Sequence, residues 1–62
     1  MRAHKIAVAG ATGRLGRHIV DVATERGHHV VPMSRATGVD IITGEGLTEA
    51  LHGVDVIIDA AS

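Results

Sequence analysis

Three observations in the sequence predict an α/β fold built on a parallel sheet. Short apolar runs rich in β-branched residues, "KIAVA" at 5–9 and "VDVIIDAA" at 54–61, read as buried strands. Between 14 and 26 the apolar residues Leu15, Ile19, Val22 and Ala23 recur at helical spacing, with Arg17, Asp21, Glu25 and Arg26 on the other faces. A glycine-rich turn, "GATGRLG", joins the first strand to that helix. Strand and helix patterns that alternate in this way fold as parallel strands with right-handed crossovers.

Each element follows from local chemistry. The first strand stops at Gly10, and Gly27 fits the position just past the end of the helix. "HHVVPMS", 28–34, is a second strand, and its Pro32 lacks the N–H a ladder needs, so the strand belongs at an edge or is irregular there. "RATG" is a tight connection, and "VDIIT", 39–43, reads as a short third strand. "EGLTEALH", 45–52, suits a short helix with Leu47 and Leu51 on one face, closed by Gly53. With "VDVIIDAA" as the fourth strand, the predicted order is 3-2-1-4.

Composition narrows the function classes. A chain of 62 residues is at most one small domain, so its stability should be marginal. Its apolar content comes from Val, Ile, Ala, Leu and Met with no aromatic residue, which permits a core but not a bulky one. There is no cysteine, hence no disulfide or thiolate metal site. The five histidines include no pair at i, i+4 on a helix, and adjacent His28 and His29 would point to opposite faces of a strand, so no metal site is predicted. The apolar start is too short for a signal peptide or a membrane span, and the expectation is a soluble cytoplasmic protein. The net charge of −1 gives no argument for nucleic acid or a membrane surface. Its distribution is uneven: residues 1–35 carry +4 and residues 36–62 carry −5, so an anion should prefer the first half.

The glycines say which anion. In a dinucleotide-binding strand-turn-helix the first glycine allows the tight turn, the second lets backbone approach the pyrophosphate, and the third lets helix and strand pack closely. Amides at the helix N-terminus then bind the phosphates. Gly13 and Gly16 supply the second and third positions, but Ala11 stands at the usual first position and Gly10 leads instead. Such a triplet alone could be only a turn and a packing device, but the strand before it, the helix after it and the second strand beyond raise its weight. A P-loop is excluded because its lysine is missing: the only lysine is Lys5. At the end of the second strand an acid would bind a ribose 2′-hydroxyl, whereas Ser34 and Arg35 suit a 2′-phosphate. That favours NADP over NAD. Arg14, directly after Gly13, could form the other half of a clamp with Arg35.

"VAGATGRLGRHIV", "VVPMSR" and "LTEALHGVDVIIDAAS" together resemble the N-terminal part of atypical and extended short-chain dehydrogenases/reductases, especially the NmrA-like NAD(P)-binding group. The resemblance covers essentially the whole chain. It implies a Rossmann-type fold, with Thr12, Gly13, Arg14 and Leu15 around the pyrophosphate and Ser34 and Arg35 at the 2′-phosphate. By the same resemblance Asp40 and Ile41 flank the adenine, while Ala60, Ala61 and Ser62 run under a ribose. Members of the group are much longer, so the chain corresponds to the first part of one NAD(P)-binding domain. Many members use a Tyr-x-x-x-Lys pair; this sequence has no tyrosine and no lysine after Lys5, so it carries no catalytic residue of that kind. The implied activity of an intact protein is hydride transfer from NADPH to a small carbonyl or quinone-type acceptor, its identity unknown. A noncatalytic NADP sensor and an interaction module with an exposed sheet edge, open to self-association, are the alternatives.

Overall fold

The structure is a computed structural model and describes residues 3–60. Strand β1 (Lys5–Ala9) runs through the turn into helix α1 (Arg14–Glu25), then strand β2 (His29–Met33), a 3₁₀ turn (Arg35–Thr37), a single-turn helix α2 (Leu47–Ala50) and strand β3 (Val56–Asp59). The sheet is parallel, in the order β2-β1-β3. Lys5 lies opposite His29 and Ala9 opposite Met33 on one side, and Ile6 opposite Val56 and Ala9 opposite Asp59 on the other. This is a partial Rossmann-type sheet. β2 is an edge strand, as Pro32 requires.

The predicted third strand is absent, which reduces the expected order 3-2-1-4 to three strands; those present keep the relative positions predicted for the first, second and fourth. The reason lies in Asp40. Its Oδ1 accepts the N–H groups of Ile42 at 2.9 Å and Thr43 at 3.3 Å, donors that a ladder would have used. Asp40 N–H then donates to the Glu45 carbonyl at 2.9 Å, and Gly44 N–H to the Asp40 carbonyl at 2.7 Å, so residues 39–46 close on themselves. The predicted helix over 45–52 keeps only its central turn.

Central β1 is buried on both faces, and its alternation sorts the core. Ile6 and Val8 meet Ala11, Ala23 and Ala60 beneath α1, with Ile19, Val20, Val30 and Ile58 packed around them. Ala7 and Ala9 face the other way, against Met33, Val39, Leu47 and Leu51. The buried stripe of α1 is Gly16, Ile19, Val20 and Ala23, at i, i+3, i+4 and i+7. Leu15, predicted to belong to that stripe, is 60% exposed instead, because the stripe is centred on Gly16. With alanine and valine as its main fillers, the core has one large, fully buried side chain, Val8, among the described residues. β3 leaves its outer edge open, with Val56 and Ile57 exposed.

The end of α1 behaves as its sequence predicts. Gly27 N–H donates to the Thr24 carbonyl at 3.0 Å and His28 N–H to the Ala23 carbonyl at 3.1 Å, with Gly27 at φ +83°. No atom lies within 4 Å of a Cβ placed on Gly27, so Gly27→Ala meets no steric contact and only the left-handed backbone resists it. The expected cost is about 1–2 kcal/mol, read as a lower urea midpoint with helix content retained at zero denaturant. An unchanged midpoint would show that the turn can relax out of φ > 0.

The opposite end of the sheet is tied by side chains. Asp55 Oδ2 accepts the Lys5 N–H at 2.9 Å, and Lys5 Nζ donates to the His52 carbonyl at 2.7 Å. His4 N–H donates to His28 Nδ1 at 3.0 Å, with the two rings stacked 5.5 Å apart. Asp55 thus fastens β1 to the entry of β3. Among the described residues no group of His, Cys, Asp and Glu could hold a metal ion, and no helix is long and apolar enough to cross a membrane.

Candidate functional site

At the C-terminal ends of the strands the chain forms a cleft of about 220 Å³, lined by Gly10, Met33, Ser34, Arg35, Val39, Asp40, Ile41 and Ile42. Five of the sequence-predicted positions, Gly10, Ser34, Arg35, Asp40 and Ile41, therefore meet in one place. Complete small-molecule sites occupy about 300–1,000 Å³, so this cleft has the dimensions of part of a ligand, such as a nucleoside.

One wall is the turn between β1 and α1. Gly10 adopts φ +73°, its N–H donates to the Met33 carbonyl at 3.0 Å, and Gly13 N–H donates back to the Gly10 carbonyl at 3.1 Å. The turn is thereby pinned to the end of β2. Ala11, at the position where the usual fingerprint has its first glycine, is 6% exposed and packs into the core beneath α1. The shift of the leading glycine by one residue gives the positive φ to Gly10 and leaves Ala11 as a core side chain.

Gly13 and Gly16 differ in what holds them as glycine. A Cβ on Gly16 would lie 2.0 Å from the Gly10 carbonyl oxygen and 2.8 Å from the Ala11 Cα, so the close approach of α1 to the turn requires glycine there. A Cβ on Gly13 would meet only the Gly10 oxygen, at 3.5 Å, and Gly13 has an ordinary extended backbone at φ −74°. Nothing in this chain's own packing forbids a side chain at 13. Gly13 is also the N-cap of α1, with no side-chain cap and no acid in the first turn, so the helix N-terminus is left to face solvent with its dipole unopposed. Thr12, Arg14 and Leu15 are exposed around it.

The other wall begins where β2 ends. Ser34 N–H donates to Thr37 Oγ1 at 2.9 Å, and that hydroxyl donates to the Ser34 carbonyl at 2.9 Å, which winds Arg35–Thr37 into its 3₁₀ turn. The buried Ser34 Oγ faces the Thr37 N–H in a capping box, and its own proton has no acceptor among the described residues. A buried hydroxyl proton without an acceptor is uncommon, because its desolvation is not offset. Arg35 is exposed beside it, with no ion pair among the described residues.

Arg14 stands on the first turn of α1 and does not line the cleft with Arg35, so the expected two-arginine clamp is not preassembled. Asp40 lines the cleft, but its Oδ1 is committed to its own loop. Ala60 is buried and donates its N–H to the Ala9 carbonyl at 2.9 Å, which places it in the core beneath the turn. Ala61 and Ser62 lie outside the described residues. Sequence reasoning missed Met33, Val39 and Ile42; Val39 and Ile42 were hidden because their segment reads as a strand.

The NmrA-like family matches residues 2–62. The chain belongs to that family. It is also 36% identical, over 72 aligned residues, to the photosystem II assembly factor Ycf39 of Synechocystis sp., in a match covering 94% of this chain and 22% of that protein. The chain thus spans about a fifth of that relative's length. No solved structure gives a significant match. NmrA-like membership makes this an NAD(P)-binding segment.

Proposed function

We propose that the chain is the segment of an oxidoreductase that holds the adenosine and pyrophosphate half of NADP(H). The observation that supports NADP over NAD is the exposed Arg35, without an ion pair among the described residues, beside Ser34, whose buried hydroxyl proton has no acceptor there, at the strand end where an acid would select NAD. A 2′-phosphate offers acceptors to both side chains, and its charge matches the guanidinium. In this reading the uncapped N-terminus of α1 and the open face of Gly13 take the pyrophosphate, with Thr12, Arg14 and Leu15 around it. Asp40, Ile41 and Ile42 border the adenine. When bound, NADPH supplies a hydride to a small carbonyl or quinone-type acceptor in the intact protein; the residues here bind and orient its remote half.

Calorimetric titration of NADPH and NADH into the wild type and Arg35→Ala tests this. NADPH should bind more tightly than NADH, and Arg35→Ala should weaken NADPH by about 10- to 100-fold, the value of one or two charge-assisted hydrogen bonds, while NADH is unchanged. Equal affinity for both cofactors in both proteins would refute the assignment.

A second reading is a noncatalytic NADP-responsive protein. It is favoured by the relative's name as an assembly factor. The intact protein separates the two: oxidation of NADPH by quinone or carbonyl acceptors supports the enzyme, and binding without turnover supports the sensor.

A further inference from the structure

Behind Arg35 lies a second, more polar cleft of about 200 Å³, lined by Arg35, Gly38, Val39, Asp40 and Glu45. It shares Arg35, Val39 and Asp40 with the first cleft, so the arginine stands on the wall between them. The loop that brings Glu45 here is held by backbone. Its N–H donates to Thr43 Oγ1 at 3.2 Å, and its carbonyl accepts from Asp40 N–H. The next residue, Gly46, approaches Gly38 so closely that an added Cβ would lie 2.3 Å from the Gly38 carbonyl oxygen. That contact draws the far end of the loop against the end of the 3₁₀ turn that carries Arg35.

The two acids of this loop are used differently. Asp40 spends one carboxylate oxygen on its own loop, whereas the Glu45 carboxylate has no hydrogen bond or ion pair among the described residues. Glu45 therefore lines the same cleft as the cation proposed to receive the 2′-phosphate, with no ion pair between them. A carboxylate so placed repels a phosphate dianion and competes for the guanidinium that would bind it, while a 2′-hydroxyl feels almost none of this.

We propose that Glu45 is a specificity-determining residue that restrains the preference of this site for the 2′-phosphate, keeping NADH a usable ligand. The inference rests on the NADP reading above. Glu45 is exposed and its structural bonds run through its backbone, so removing its charge leaves the loop intact.

The test titrates NADPH and NADH into the full chain as wild type, Glu45→Gln, Glu45→Lys and Arg35→Ala, at low and high ionic strength. At low salt Glu45→Gln should tighten NADPH by about threefold and Glu45→Lys by about tenfold, as expected of unit charges several ångströms away in a largely aqueous setting, with NADH unchanged. Both gains should shrink in about 0.5 M salt, where the screening length falls to a few ångströms. Unfolding midpoints of the Glu45 variants should equal that of the wild type. Equal shifts for NADPH and NADH, or none for either, would overturn the role of Glu45. The two failures are distinguishable: if Arg35→Ala leaves the NADPH/NADH ratio untouched, the 2′-phosphate site itself is wrong. If Arg35→Ala lowers the ratio and Glu45→Gln does not raise it, only the inference about Glu45 fails.

Discussion

Gly16→Ala is expected to destabilise the chain by about 2–3 kcal/mol, the upper part of the range for overpacking a tight interior contact. The sign is not obvious, because alanine within a helix is favoured over glycine by about 1 kcal/mol. What decides it is the identity of the atoms in the way. The added Cβ would fall 2.0 Å from the Gly10 carbonyl oxygen and 2.8 Å from both the Gly10 carbonyl carbon and the Ala11 Cα, all backbone. No side chain can swing aside, so α1 must lift off the turn. Lifting it opens the contacts of Ile19, Val20 and Ala23 with Ile6 and Val8, on the face that includes the only large, fully buried side chain among the described residues. A chain of this size has little stability in reserve. Circular dichroism should show reduced helix content, and the urea midpoint should fall well below that of the wild type. A midpoint equal to or above it would mean that α1 sits farther from the turn than the structure places it.

The features legible in the sequence are those that local chemistry decides alone. The β1 run, the helical spacing of α1, the Gly27 stop and the edge position implied by Pro32 each depend on residues close together in the chain, and all are present. Residues 39–43 failed for an equally physical reason. "VDIIT" has the β-branched composition of a strand, but Asp40 can satisfy two backbone N–H groups locally, and glycines at 38, 44 and 46 supply the positive φ values that close the loop. Pattern reading weighed the apolar residues and missed the competing hydrogen bonds. Gly10, Ser34 and Arg35 could be read from the residues themselves and Asp40 and Ile41 only through the family resemblance, whereas the neighbours of Arg35 could not be read at all. Glu45 comes alongside Arg35 only through the loop closure that the strand reading had removed.

Gly13→Ala should have the opposite consequence to Gly16→Ala: a folded chain with no useful affinity for either cofactor. At Gly13 an added methyl meets only one oxygen at ordinary van der Waals distance, and the backbone is already in a region open to every residue. Alanine is a poorer N-cap than glycine by a fraction of a kcal/mol, and a similar gain from the stiffer unfolded chain roughly offsets that, so stability should stay within about 1 kcal/mol of the wild type. The methyl nevertheless projects beside the amides proposed to hold the pyrophosphate. Two phosphates pushed away by the radius of a methyl lose short, charge-assisted contacts at the helix N-terminus, and about 100-fold in affinity corresponds to the loss of two of them. Because NADPH and NADH share the pyrophosphate, calorimetry should show both weakened by the same factor, whereas Arg35→Ala weakens NADPH alone. Undiminished NADPH and NADH binding by a folded Gly13→Ala protein would remove the pyrophosphate from this turn. A loss confined to NADPH would move the role of Gly13 to the 2′-phosphate.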